Sequence, residues 1–270
     1  MKLPDIQSTP PEEKIPLDKV GIKNLKYPIK VFDRAKGFQS TIGEINLYVN
    51  LPSYFKGTHM SRFVEVLNEF KDEIHIKNIH KLLKKLKEKL NAKSSYVEIN
   101  FPYFIEKKAP VTQTVGLMGY QAFLKASLHK EKKDFIIGVK VPVMTLCPCS
   151  KSISEYGAHN QRGIVTIAVR FKKFIWLEEL IEIAEKSASA PIYPVLKRAD
   201  EKFITEKSYE NPKFVEDVVR AVASELLKND EIIWFSVEVE NFESIHEHNA
   251  YAFLEIEKNY SSSSSNSSSK

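Results

Sequence analysis

Residues 44–51 read Glu-Ile-Asn-Leu-Tyr-Val-Asn-Leu, and the reading of this octet decides the fold. Ile45, Leu47, Val49 and Leu51 alternate with Glu44, Asn46, Tyr48 and Asn50. A period of two sends the apolar set to one face of a strand and the polar set to the other, as in a half-buried sheet. The alternation returns in Val97, Ile99 and Phe101, in Ile137, Val139, Val141 and Val143, and in Val165, Ile167, Val169 and Phe171. Further strands are read at 29–32, within 112–126, at 232–240 and at 247–257. Helical spacing falls between them. Thr58 reads as the N-cap of a helix that turns Met60, Phe63, Val64 and Leu67 to one side. A second helix carries Ile76, Ile79, Leu83, Leu86 and Leu90 inward and lysines outward. Residues 176–185 form a third, with Leu177, Leu180, Ile181 and Ala184 inward. A fourth starts at Asn211 and Pro212 and buries Val215, Val218, Val219, Val222 and Leu226. The order is ββααββ, twice. Strand pairs joined by short turns give an α+β chain of antiparallel sheets with helices over one face. The expected organisation is an arm over 1–24, a first module over 25–130, a second over 131–258 and a serine-rich tail over 259–270.

The composition is that of an ordinary globular chain: 270 residues, 43% hydrophobic and 28% charged. It contains no run of about 18 apolar residues and no apolar leader, so no membrane span is expected and the cytoplasm is the expected location. Forty Lys and Arg against 35 Asp and Glu give a net charge of +5. The lysines are spread along the chain, which reads as a solvated surface and not as a nucleic-acid footprint. Cys147 and Cys149 are the two cysteines, separated by Pro148 alone. That spacing strains a mutual disulfide and leaves two thiols for chemistry.

The densest chemical signal is TLCPCSKSISEYGAHNQRG, residues 145–163, between two strands and long for a hairpin connection. Cys147, Cys149 and His159 are ligand types that suit Zn²⁺, although a structural zinc site needs four ligands and this segment offers at most three. A second cluster is Glu243-Ser244-Ile245-His246-Glu247-His248. If the last strand reaches back this far, His246 and His248 share a face with Ala250, Ala252 and Leu254 and point inward. Two adjacent imidazoles serve either metal ligation or acid–base work, or else pair at a sheet end. Glu201 reads as a loop residue. Glu216 lies in the first turns of the Asn211 helix, where the helix dipole favours a carboxylate, so capping is its plain reading. GTHMSRF, residues 57–63, gathers free helix N–H groups with Ser61 and Arg62 and is a candidate anion site. His75, His80 and His129 sit among lysines and read as surface residues.

Together, LCPCSKSISEYGAHNQRG, GTHMSRF, NPKFVEDVVR and NFESIHEHNAY resemble GTP cyclohydrolase I of type B, over roughly residues 25–258. The resemblance implies the tunnelling fold, with ββααββ modules assembling into barrels and a homotetramer whose active sites lie at subunit interfaces. It implies conversion of GTP and water to 7,8-dihydroneopterin triphosphate and formate, the first step toward folate. It matches Cys147, His159 and Glu201 to metal ligands, with Glu243 a further one. The ion is a divalent metal, Zn²⁺ first and Mn²⁺ or Fe²⁺ as alternatives. Cys149, His246 and His248 become candidates for proton transfer, and Glu216 the anchor for the guanine N1–H and 2-amino group. His59, Ser61 and Arg62 are assigned to the triphosphate, reaching a neighbouring subunit's site. Behind this reading stand an archaeal-type enzyme giving a cyclic phosphate, a tunnelling-fold nitrile reductase whose cofactor motif is missing here, and a non-enzymatic nucleic-acid-binding module.

Overall fold

The computed structural model describes residues 4–70 and 78–258. The first half runs β1 (Leu17–Asp33), β2 (Gly37–Leu51), α1 (Met60–Glu69), α2 (Ile79–Lys89), β3 (Ser94–Lys108) and β4 (Val115–His129). The second half runs β5 (Lys132–Leu146), α3 (Pro148–Ile153), β6 (Asn160–Phe171), α4 (Leu177–Ser187), β7 (Ala190–Pro191), α5 (Arg198–Glu210), α6 (Val215–Lys228), β8 (Ile232–Asn241) and β9 (Ala250–Glu257). The ββααββ order holds in the first half. The second half keeps it and adds α3, the two-residue β7 and α5.

All strands join one antiparallel sheet in the order β1-β2-β3-β4-β5-β6-β8-β9, with β7 paired to the end of β5. The sheet runs unbroken across the two halves through the β4–β5 hairpin, where His129 pairs Lys132 and Lys130 takes a left-handed φ of 52°. The alternating residues read from the sequence face the helices and form one core with Phe63, Leu67, Leu86, Leu180, Val222 and Leu226. The opposite face carries Lys26, Gln121 and Lys140, all exposed. Two carboxylates of α4 dock the second half onto the first. Glu178 accepts the Tyr103 hydroxyl and the Arg34 N–H, each at 2.8 Å. Glu185 accepts the Tyr120 hydroxyl at 2.7 Å and the Lys107 ammonium at 2.6 Å. Burial lowers the Lys107 pKa, and Glu185 opposes that shift. Among the described residues no helix is long and apolar enough to cross a membrane.

Several boundaries differ from the sequence reading. The irregular lead-in is shorter than 24 residues, because β1 begins at Leu17. Its pairing with β2 is shifted between Leu17 and Val20 and again between Ile22 and Leu25, and Asn24 takes a φ of 59°. These bulges break the alternation that would have marked the strand. The N-cap of α1 is His59, not Thr58. Asn211 ends α5 instead of starting the next helix, and α6 begins at Val215 after Phe214. Lys213 N–H donates to the Leu146 carbonyl at 3.1 Å, which holds this stretch extended until the helix can begin. Glu201 lies in the first turn of α5 and not in a loop. Ile76 and His75, the first three residues of the arm and the serine-rich tail lie outside the described residues.

Asp200 pins α5 to the β3–β4 turn. Fully buried, it accepts the Val111 and Thr112 N–H groups and the Thr112 hydroxyl, with the Lys197 N–H at 3.0 Å. Burial pushes its pKa up, but the bonds from Thr112, Lys197 and Val111 win and hold it well below the usual range. A depressed folded-state value stabilises the fold above the unfolded pKa of about 4 and is lost as pH falls from there. Asp200→Asn should therefore lower the urea midpoint at neutral pH. The gap from the parent should narrow as pH drops below about 4. A gap that stays constant from pH 7 to 3 would contradict this account.

Candidate active site

The β5–β6 ladder decides where the motif loop stands. Leu146 pairs Asn160, and the Cys147 N–H donates to the His159 carbonyl at 3.1 Å. The long connection is thus closed at its base. Inside it, Pro148 occupies the first turn of α3 and Cys147 caps that helix, its Sγ accepting the Ser150 N–H at 3.4 Å. The Ser150 hydroxyl in turn accepts the His159 N–H at 3.0 Å. Cys147 is half-buried and Cys149 exposed. Lys151 reaches the Tyr209 carbonyl and lies 4.4 Å over the Tyr209 ring, docking α3 on the end of α5.

Beneath the loop is a polar relay that the sequence reading missed. His159 Nδ1 lies 3.0 Å from Gln161 Oε1, and Gln161 Nε2 donates to the buried Thr145 hydroxyl at 3.0 Å. With Nδ1 engaged, Nε2 is the ring nitrogen left for a ligand. The signal was available: Gln161 has the same parity in β6 as Val165 and Ile167, so it is a polar side chain at an inward position.

The β8–β9 loop meets this site through Ser244, whose hydroxyl lies 3.4 Å from His159 Nδ1. It brings Glu243, with its side chain only 12% exposed, to the same end of the sheet. The expectation that His246 and His248 point inward on a strand is overturned. β9 begins only at Ala250, and both histidines sit exposed in the loop. Their rings stack at 5.2 Å, and His246 Nδ1 lies 3.5 Å from Glu243 Oε2.

Glu216 is exposed in the first turn of α6. Capping belongs to its neighbour, since Asp217 accepts the Phe214 N–H at 3.1 Å. The Lys213–Leu146 bond sets the head of α6 beside the Cys147 loop. Glu201 is exposed near the start of α5, roughly 12 Å along the helix from Tyr209, the end that meets α3. His59, Ser61 and Arg62 are not brought to this site at all. They follow β2, at the Lys132 end of β5, while Cys147 follows its Leu146 end. A strand of that length spans roughly 45–50 Å.

A thiol, an imidazole with free Nε2 and a carboxylate are donors that suit a divalent transition ion. Cys147 and His159 carry two donors of this kind and are joined through their backbones. Among the described residues of one chain, however, no group of three or more His, Cys, Asp or Glu is placed to hold a metal ion.

The chain matches the family model described as type I GTP cyclohydrolase folE2 over residues 3–252. It is 56% identical over 254 residues to GTP cyclohydrolase FolE2 of Geotalea uraniireducens, covering 94% of this chain and 93% of that protein. It is 57% identical over 253 residues to GTP cyclohydrolase FolE2 of Syntrophus aciditrophicus, covering 94% and 99%. Among solved structures it resembles uricase from Arthrobacter globiformis, with a TM-score of 0.53 at 8% identity over 90% of this chain and 94% of that one. Urate oxidase from Bacillus subtilis 168 is similar, at a TM-score of 0.51 and 6% identity over 89% and 98%. At such identities the likeness concerns the fold alone, and it is the tunnelling fold.

The two carboxylates at the head of α6 should separate in a stability measurement. Asp217→Ala should cost about 0.5–1.5 kcal/mol in urea unfolding, the net worth of the hydrogen bond its carboxylate accepts from the Phe214 N–H. Glu216→Gln should leave the midpoint unchanged, because Glu216 makes no hydrogen bond or ion pair among the described residues. Equal losses in both variants would return Glu216 to a structural role.

Proposed function

This chain belongs to the type I GTP cyclohydrolase FolE2 family, and from that membership we propose that it converts GTP and water to 7,8-dihydroneopterin triphosphate and formate, on the way to folate. The observation that carries the residue assignments is the closed β5–β6 loop. It joins the backbones of Cys147 and His159, and the β8–β9 loop with Glu243 and the head of α6 with Glu216 meet the same end of the sheet.

Glu216 is the guanine anchor in this reading. A carboxylate accepts two hydrogen bonds, one from guanine N1–H and one from the 2-amino group. Adenine lacks that donor pair, so ATP is rejected. Cys147 and His159 Nε2 would hold a divalent cation, with Glu243 beside them. Zn²⁺ is the first choice, and Mn²⁺ and Fe²⁺ are alternatives. When bound, such an ion would supply a water acidified enough to serve as the nucleophile near neutral pH. Gln161 and Thr145 orient the His159 ring. His246 and His248 are candidates to carry the protons that ring opening and deformylation move, since an imidazole both donates and accepts protons. Cys149, exposed one residue beyond Pro148, is the third candidate for proton transfer.

The single chain leaves two gaps, and one assembly fills both. Glu201 does not join the other ligands within a chain, and His59, Ser61 and Arg62 lie at the far end of the sheet. A homotetramer with sites at subunit interfaces lets one copy supply the metal loop and another the triphosphate contacts.

The test is incubation with GTP and each metal in turn under anaerobic conditions, reading formate and the mass of the pterin. Formate with a pterin triphosphate is the expected result. A cyclic phosphate would move the chain to the archaeal-type reaction. Absence of formate from folded, metal-loaded protein would refute the activity. Cys147→Ala should lose both bound metal and formate while keeping the parent's circular dichroism. Glu216→Gln should lower kcat/KM for GTP by roughly 100-fold, because the amide keeps one acceptor oxygen and turns the other position into a donor facing a guanine N–H.

A further inference from the structure

The segment ahead of β1 lies across the loop that enters α1. Lys56 N–H donates to the Thr9 carbonyl at 2.8 Å, and Gly57 N–H to the Gln7 carbonyl at 3.1 Å. Within the segment, the Thr9 N–H and hydroxyl both bond the Ile6 carbonyl, at 3.1 and 2.6 Å. This tight turn presents Asp5 to His59. Asp5 Oδ1 lies 3.2 Å from His59 Nε2, while Oδ2 accepts the Ser8 hydroxyl at 2.7 Å. The head of α1 has no side-chain cap and no acidic residue in its first turn, so Asp5 is a carboxylate brought to this helix start from outside it.

We infer that Asp5 is a positioning residue for His59, holding the imidazole by Nε2 so that Nδ1 is directed to an anionic ligand at the head of α1. The inference rests on the assignment of His59, Ser61 and Arg62 to the triphosphate. In the imidazolium form both ring nitrogens donate. The carboxylate takes the Nε2 proton as a hydrogen bond and fixes the ring plane, and the Nδ1–H then meets a phosphate oxygen. The Ser8 hydroxyl, with His59 adding to it, keeps the Asp5 carboxyl below its usual pKa, so the acceptor is ionised at neutral pH. A ring without this partner rotates freely and loses direction. The arm is therefore part of the substrate apparatus and no passive lead-in.

The experiment compares the full-length parent with Asp5→Asn, His59→Ala and the double variant, each checked for an unchanged thermal melt. Steady-state kcat and KM for GTP are measured with binding constants for GTP and GMP. Asp5→Asn should raise KM about two- to fivefold, the worth of one partly exposed ion pair, with kcat little changed. The binding penalty should be larger for GTP than for GMP, and it should vanish in the His59→Ala background. If His59→Ala raises KM but Asp5→Asn leaves it unchanged, the role of Asp5 is refuted and the triphosphate assignment survives. A lower KM in Asp5→Asn would mean that the carboxylate competes with phosphate, again refuting the role. An equal penalty in both backgrounds would mean that Asp5 acts through the arm and not through His59. If His59→Ala leaves KM unchanged, the triphosphate assignment fails and the role of Asp5 falls with it.

Discussion

One backbone hydrogen bond, from the Cys147 N–H to the His159 carbonyl, closes the β5–β6 ladder, and the geometry of the site follows from it. With that rung in place the 11 intervening residues have little room, so Pro148 starts a short helix at once and Cys147 becomes its cap. Leu146, one residue earlier, directs its backbone groups outside the ladder. Its N–H donates to the Ser189 hydroxyl at 3.1 Å, and its carbonyl accepts the Lys213 N–H. A single point at the strand end therefore fixes the cysteine loop, the turn after α4 and the head of α6. The head of α6, and Glu216 in its first turn, is positioned through that carbonyl. Buried polar groups of this kind are costly when left unpaired, which makes the arrangement rigid.

Strands with strict alternation were legible. β2, β3, β5 and β6 are each buried on one face, and burial writes itself into every second residue. β1 was largely missed because its bulges shift the parity twice, and its edge position leaves much of it exposed. α5 was missed for a different reason. Its sequence, RADEKFITEKSYE, buries only Asp200, Ile204 and Ser208, and polar contacts hold it where an apolar stripe would normally be seen. The Asn211-Pro212 pair has the better local start signal, yet a tertiary bond to Leu146 delays α6 by three residues.

The site residues divide in the same way. Cys147 and His159 are neighbours because one loop closes on itself, and Ser244 brings the β8–β9 loop, which carries Glu243, against His159. The inward placement of His246 and His248 assumed a strand that stops at Ala250, and parity has no meaning beyond a strand's end. Asp217, Gln161, Thr145 and Asp5 act on other residues and not on a ligand. Their chemistry is ordinary in sequence, and only the pairing of distant segments shows what they hold.

The sheet has two chemically loaded ends. Cys147, His159, Glu243 and Glu216 occupy one, and His59, Ser61 and Arg62 the other, separated by the full length of β5. No nucleoside triphosphate spans roughly 45–50 Å, so the two sets of one chain cannot serve one substrate. If both belong to the reaction, each copy contributes to two different sites, and activity requires association. The same argument accounts for Glu201. Its carboxylate is exposed on α5 and joins no group of three or more possible ligands among the described residues of one chain, so under that condition it too would act across an interface. The exposed aromatic residues Tyr156, Phe242, Tyr251 and Phe253 lie in and beside the cysteine and histidine loops. An enzyme that divides its site between copies needs an apolar surface at that edge, because polar ligands alone bring little free energy to association.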